Sequence, residues 1–301
     1  MIVRLGVFSS SAVSRLGREH GLFDDAGVQL VEHRVQSSVH AFQDLDAGGL
    51  DVLLTSPDNV LAYRLNKSNA LGRKLDVQIL RGADRGLGLS LMAGPAIKDA
   101  EQLRGRDLGV DAAATGFAYT LYALMHQLGM TAGRDYRVVE QGTTPARREA
   151  LLAGRCSATM LNAGNDVVAE QVGCDRLLRV SEAIGPYLGS VLVARRTWST
   201  EHRNLVARLL DAWTLATELV LDDAQAPNVR EMLATMLSCS TDVAEKARQI
   251  LIDPHEGLLT DGSIDGSLQT VVDLRAANNG FDDATIVTGS SANDLGLSWQ
   301  A

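Results

Sequence analysis

Cysteine is scarce in this chain of 301 residues, and Cys156, Cys174 and Cys239 form an odd set with neither a Cys-x-x-Cys pair nor a metal-like arrangement with histidine. That excludes a disulfide framework and a cysteine-bound metal, and it predicts three inert thiols in a reducing compartment. Positive charge is short as well. Lys and Arg number 28 against 37 Asp and Glu, for a formal charge of -9 and a pI near 5.2. A broad nucleic-acid footprint needs clustered cations, so no nucleic-acid partner is expected. The nearest approach to a basic patch, "RVVEQGTTPARREALLAGR", is diluted by Glu140 and Glu149 and reads as a solvated helix face.

No apolar run approaches the roughly 20 residues of a membrane helix. Met1 leads straight into an apolar strand, with no basic segment, apolar signal core or small-residue cleavage site. The expected location is cytoplasmic for the sequence as given, and periplasmic or extracellular if a leader has been removed from it. Catalytic signatures are missing too. His20, His33, His40, His126, His202 and His255 are scattered, without a His-Glu-x-x-His pair, a Gly-x-Ser-x-Gly elbow or a phosphate-binding glycine loop. No cofactor and no metal are implied.

What is present is the balance of a globular protein, 46% hydrophobic and 22% charged, long enough for two domains. Strand-like runs alternate with helical periodicity, which predicts an α/β fold with largely parallel, doubly wound sheets. Four strands ("VRLGVF", "VQLVEHR", "LDVLLTS", "DVQILRG") alternate with helices ended by Gly21 and Gly48 or opened by Pro57. A second α/β set runs from "LSLMAG" to "RLLRVS". From Ser199 to about Gly280 the pattern is helical, and the closing "GSSANDLGLSWQA" is expected to wrap the surface. Glycine-rich stretches near residues 81–94 and 181–196 bracket the second set. They predict a discontinuous first lobe at 1–86 and 190–301 and an inserted second lobe at 87–189, with one large sheet as the alternative.

Four stretches, "GREHGLFDDAGVQLVEHR", "AFQDLDAGGLDVLLTSP", "AEQLRGRDLGVD" and "REALLAGRCSATMLN", resemble the type 2 periplasmic solute-binding family in its nitrate, sulfonate, taurine and thiamine-pyrimidine-precursor branch. Gly21, Leu22, Phe23 and Gly27 match its first motif, Leu45, Gly48 and Asp51 the second, and Leu103, Gly105 and Val110 the third, with Gln102 where the family usually has Asp. The resemblance covers about residues 1 to 195. It implies a two-lobed fold that closes over a small ligand, and an ABC transporter permease as partner. It speaks for fold more than for function.

Ligands of doubly wound sheets lie beyond the carboxyl ends of the strands. Ser9, Ser10 and Ser11 stand there after the first strand, Ser37 and Ser38 after the second, and Thr55, Ser56 and Asn59 after the third. In the second lobe Thr115 and Gly116 open a helix and Asn162 follows a late strand. Helix N-termini carrying small hydroxyls favour an anionic head group, so the ligand expected in the cleft between the lobes is a small organic or inorganic acid. Each such residue is also an ordinary helix cap. Arg85 is a candidate ligand clamp or, with Asp84, a hinge pair. Asp58 would repel an anion yet suits a helix start, and Phe117 and Tyr119 suit either ring stacking or the core.

A second reading is a lyase or isomerase, decarboxylase-like or desulfinase-like, on the same scaffold. His40 beside Ser37 and Ser38 is then the general acid or base, or else a surface histidine. The desulfinase relatives carry a cysteine where this chain has serine after the first strand. No cysteine cluster matches the iron motif of the pyrimidine-synthase relatives.

Overall fold

The structure is a computed structural model that describes residues 1–299 apart from residue 265. The chain divides into two compact units, Met1–Asp84 with Leu188–Met232 and Leu258–Ala301, and Arg85–Tyr187 with Leu233–Gly257. The first unit opens with β1 (Ile2–Val7), α1 (Ala12–Glu19), the single turn α2 (Leu22–Asp25), β2 (Gln29–Arg34), α3 (Ser38–Ala47), β3 (Val52–Thr55), α4 (Pro57–Leu65) and β4 (Val77–Asp84). The second holds β5 (Ser90–Ala93), β6 (Asp107–Val110), α5 (Gly116–Gln127), β7 (Arg137–Glu140), α6 (Thr144–Leu152), β8 (Ala158–Leu161), α7 (Asn165–Gln171), β9 (Asp175–Arg179) and α8 (Val180–Ala183). The chain returns through β10 (Ser190–Arg195), α9 (Arg196–Glu201), α10 (Arg203–Leu221), α11 (Ala226–Leu237), α12 (Thr241–Ile252) and α13 (Ser267–Ala277).

Each unit has a five-stranded sheet, in the orders β2-β1-β3-β10-β4 and β7-β6-β8-β5-β9. One strand in each runs against the rest: β10 is antiparallel to β3 and β4, and β5 to β8 and β9. The other pairings are parallel, so the α/β expectation is met by two mostly parallel sheets. Local chemistry explains the helix boundaries. Ser11, Ser37, Ser56 and Thr115 each accept a backbone N–H as N-cap, Pro57 sits in the first turn of α4, and Gly48 ends α3 at φ +79°.

In the first unit α1 lies against α10. A Cβ on Gly17 would come 2.6 Å from Ala216 Cβ and 2.7 Å from the Phe23 ring, so only glycine allows that approach. The closing segment runs over the surface as expected, most of its described residues exposed, and is anchored at one point. Leu297 is buried, and Ile79 of β4 exchanges backbone hydrogen bonds with Leu297 and Trp299, which covers the outer edge of that sheet. Gln300 and Ala301, also part of that stretch, lie outside the described residues.

Both junctions lie two residues before the expected ones, at 84/85 and 187/188, and the larger departure from the expected lobes is that Leu233–Gly257 belongs to the second unit instead of staying with 190–301. The reason is apolar: Val243 and Ile250 of α12 form a cluster with Val167, Val168 and Leu87. Among the described residues no helix is long and apolar enough to cross a membrane.

Candidate functional site

In the first unit β2, β1 and β3 are neighbours and parallel, so their carboxyl ends, and the loops carrying Ser9–Ser11, Ser37–Ser38 and Thr55–Asn59, lie side by side at one end of the sheet. The three serines after β1 take different roles. Ser9 is exposed, and its hydroxyl has no partner among the described residues. Ser10 donates to Glu32 Oε2 at 2.6 Å. Ser11 accepts the Ser14 N–H at 3.0 Å, and its hydroxyl lies 2.9 Å from that of Ser14, which donates to Glu32 Oε1 at 2.5 Å. With the Ser14 hydrogen directed at Glu32, Ser11 is the donor in the contact between the two hydroxyls. The hydrogens of Ser10, Ser11 and Ser14 therefore run toward one carboxylate.

After β2, Ser37 caps α3 by accepting the His40 N–H at 3.2 Å, and the His40 side chain is exposed. Burial raises the Tyr63 phenol above its ordinary range, with the Ser38 hydroxyl opposing that rise. After β3, Ser56 accepts the Asp58 N–H, and Asn59 Nδ2 donates to the buried Thr55 hydroxyl at 3.0 Å. The charge of Asp58 is already matched. Arg275 of α13 donates to both its oxygens, Nε at 2.8 Å and Nη2 at 3.3 Å, with the side chains 1% and 4% exposed. The repulsion expected of Asp58 toward an anion is cancelled inside the unit.

In the second unit β7, β6 and β8 are likewise adjacent and parallel. Thr115 caps α5 and donates to Asp111 Oδ1 at 2.6 Å, and Gly116 is buried as the first residue of that helix. Asn162 Nδ2 donates to the Gly86 carbonyl at 3.0 Å, next to Arg85, whose own N–H donates to Gly257. Leu87 (φ 51°) and Ala163 (φ 52°) hold left-handed backbone here, joined by the Ala163 N–H to the Leu87 carbonyl at 2.8 Å. Such conformations in residues with a side chain are held only where surrounding contacts require them. Asp84, in the first unit, accepts from the Ser190 hydroxyl, and its carbonyl takes the Gly189 N–H. Tyr119 is buried, edge-on to Tyr122.

Two charged groups of this unit escaped the reading of the sequence. The stretch taken for a solvated helix face contains Arg147, which is 1% exposed. Its Nε donates to Met160 O at 3.2 Å, Nη1 to Gly142 O at 2.7 Å and Nη2 to Thr144 Oγ1 at 3.0 Å, and the guanidinium lies 5.0 Å from the Phe117 ring centre. Every direct partner is neutral, and burial lowers its pKa, with Asp111 opposing at longer range. The spacing Arg147, Ala150, Leu151, one face of α6, was the available signal. The second group is Asp166, fully buried in the first turn of α7. Its Oδ2 accepts from Arg176 Nη2 at 2.9 Å, Oδ1 has no hydrogen-bond partner among the described residues, and burial pushes the carboxyl up to about 8. The thiols match their inert reading, with burial pushing Cys156 up to about 11.

Residues 22–234 match the sequence profile described as ABC transporter, phosphonate, periplasmic substrate-binding protein. The chain belongs to that family. It is therefore the substrate-binding component of an ABC transporter, with a small molecule as ligand and a permease as partner. Solved structures share the fold at low identity. The alkanesulfonate-binding protein SsuA from Xanthomonas axonopodis pv. citri, bound to MOPS, is 15% identical, with a TM-score of 0.78 over 100% of this chain and 98% of its own. The aliphatic sulphonate binding protein SsuA from Escherichia coli is 16% identical with a TM-score of 0.71, covering 95% of each chain. The nitrate-binding protein NrtA from Synechocystis PCC 6803 is 12% identical with a TM-score of 0.68, over 80% of this chain and 68% of its own. No curated protein matches this sequence.

Proposed function

We propose that the ligand delivered to the transporter is a small organic or inorganic acid, recognised by the hydroxyls and helix N-termini at the carboxyl ends of the parallel strands. Ser9, Ser37, Ser38, Ser56 and Asn59 serve in the first unit, and Arg85, Thr115, Gly116 and Asn162 in the second. The observation that carries this reading is Arg147. A guanidinium has five N–H donors, and Arg147 uses three of them on neutral acceptors at the strand ends of β7 and β8. A buried cation with no carboxylate in direct contact, Asp111 acting only at longer range, is costly, and an acidic ligand supplies closer negative charge.

The receptor works outside the cytoplasmic membrane, the location of its family. Family membership favours the receptor over a lyase or isomerase, and the exposed His40 adds no catalytic constellation to that alternative.

The test is a thermal-shift screen of the purified protein against methylphosphonate, methanesulfonate, nitrate and small carboxylates, beside neutral sugars and cationic amines, with each hit re-examined by mass spectrometry. An acid that raises the melting temperature and returns unchanged is the expected result. Stabilisation by neutral or cationic compounds alone overturns the acid reading, and a hit that returns lighter by carbon dioxide or sulfite revives the enzyme.

A further inference from the structure

We infer that Glu32 is a built-in anion that fills the serine cradle after β1 and thereby sets how much negative charge the ligand carries. The carboxylate of Glu32, 11% exposed, projects from β2 and takes the hydroxyl hydrogens of Ser10 and Ser14, with Arg18 Nη1 3.9 Å away. Ser14 is fully buried, and the Ser11 hydroxyl feeds the same chain. The hydroxyls that the order of the sequence offers to an external anion thus serve an internal one. Arg18 is half-exposed and touches Glu32 only at 3.9 Å, unlike the bidentate Arg275 on Asp58, so it offsets only part of this charge, and what remains repels a second negative charge on a ligand in a partly dry site. Glu32 then acts as a specificity-determining residue that admits a singly charged acid and discriminates against a doubly charged one. Solvent and small ions reach it through a depression of about 640 Å³ whose lining includes Ser10, Arg15, Arg18, Phe23 and Glu32. This inference rests on the proposal that the ligand is a small acid.

Two measurements separate the parts. The first does not depend on the natural ligand. Glu32→Ala empties the cradle and lowers the melting temperature, and added formate restores it, while the wild-type protein responds less to the same formate. Equal responses in the two proteins overturn the role of Glu32 as occupant. The second compares affinities for methanesulfonate and doubly charged methylphosphonate at alkaline pH by calorimetry, in wild type and in Glu32→Gln, which keeps the shape of the side chain and loses its charge. The wild type is expected to prefer the monoanion, and the variant to narrow that preference by about tenfold. An unchanged ratio overturns the selectivity. If neither protein binds either probe or any other acid of the screen, the acid reading and the selectivity fall together, and formate rescue alone upholds the internal anion.

Discussion

Arg81 in the first unit and Arg147 in the second are both buried, both have their pKa lowered mainly by burial, and neither touches a carboxylate. Arg81 nevertheless directs all five donors to acceptors: Nε to Gly82, Nη1 to Leu210 and Thr214, Nη2 to Leu259 and Thr260. It ties β4 to α10 and to the loop before α13, a wholly structural task. Arg147 directs only three, all to the strand-end region of its sheet. Buried charge alone therefore does not mark a site; in the proposed function, what marks one is donor capacity left over near the carboxyl ends of the parallel strands. The first unit pairs Asp58 with Arg275 and Asp51 with Arg4, and leaves Arg195 Nε as a buried donor with no hydrogen-bond partner among the described residues. The second leaves such atoms on Asp166 and Arg176.

The contrast yields predictions of decreasing size. The largest concerns Asp166. Its folded-state pKa is raised from 3.8 to about 8 by burial, so the unfolded chain loses this proton first. Stability falls as pH rises from about 4 to about 8, by up to about 5 kcal/mol from this group, with the Arg176 contact reducing that figure. Urea unfolding across this range checks it, and Asp166→Asn is expected to flatten the slope. Next comes Arg81→Met, which leaves several buried carbonyls without donors. It is expected to cost about 3 kcal/mol in urea unfolding while leaving the affinity of the folded protein for its acid unchanged.

Arg147→Lys should invert that outcome. Lysine keeps the charge and loses the planar fork, so affinity for the acid drops about tenfold or more with a smaller loss of stability. If Arg147→Lys and Arg81→Met behave alike, donor capacity is not what distinguishes the two units. Last, Ser11→Ala removes the cap of α1 at about 1 kcal/mol in thermal unfolding, whereas Ser9→Ala leaves stability within about 0.5 kcal/mol and weakens acid binding.

Much of this architecture is legible in residue order. "RNLVARLLDAWTLATELVL" is helical over the whole expected span, and Pro57, Gly48 and Ser37 mark boundaries through their own backbone chemistry. The hydroxyls at strand ends are legible for the same reason, since a helix cap is a local event. Their hydrogen-bond partners are not. Ser10 and Glu32 are 22 residues apart, and only the parallel pairing of β1 with β2 brings them together.

Residue order alone carries the α/β alternation, the caps and the membership in a substrate-binding family, because these depend on periodicity, composition and neighbouring residues. Tertiary structure decided which charges are matched. It turned Arg147 from a surface cation into a buried donor, paired Asp58 with Arg275, seated Glu32 on the serines and moved residues 233–257 into the second unit. Burial and long-range pairing depend on which faces meet after folding, and no local spacing encodes that.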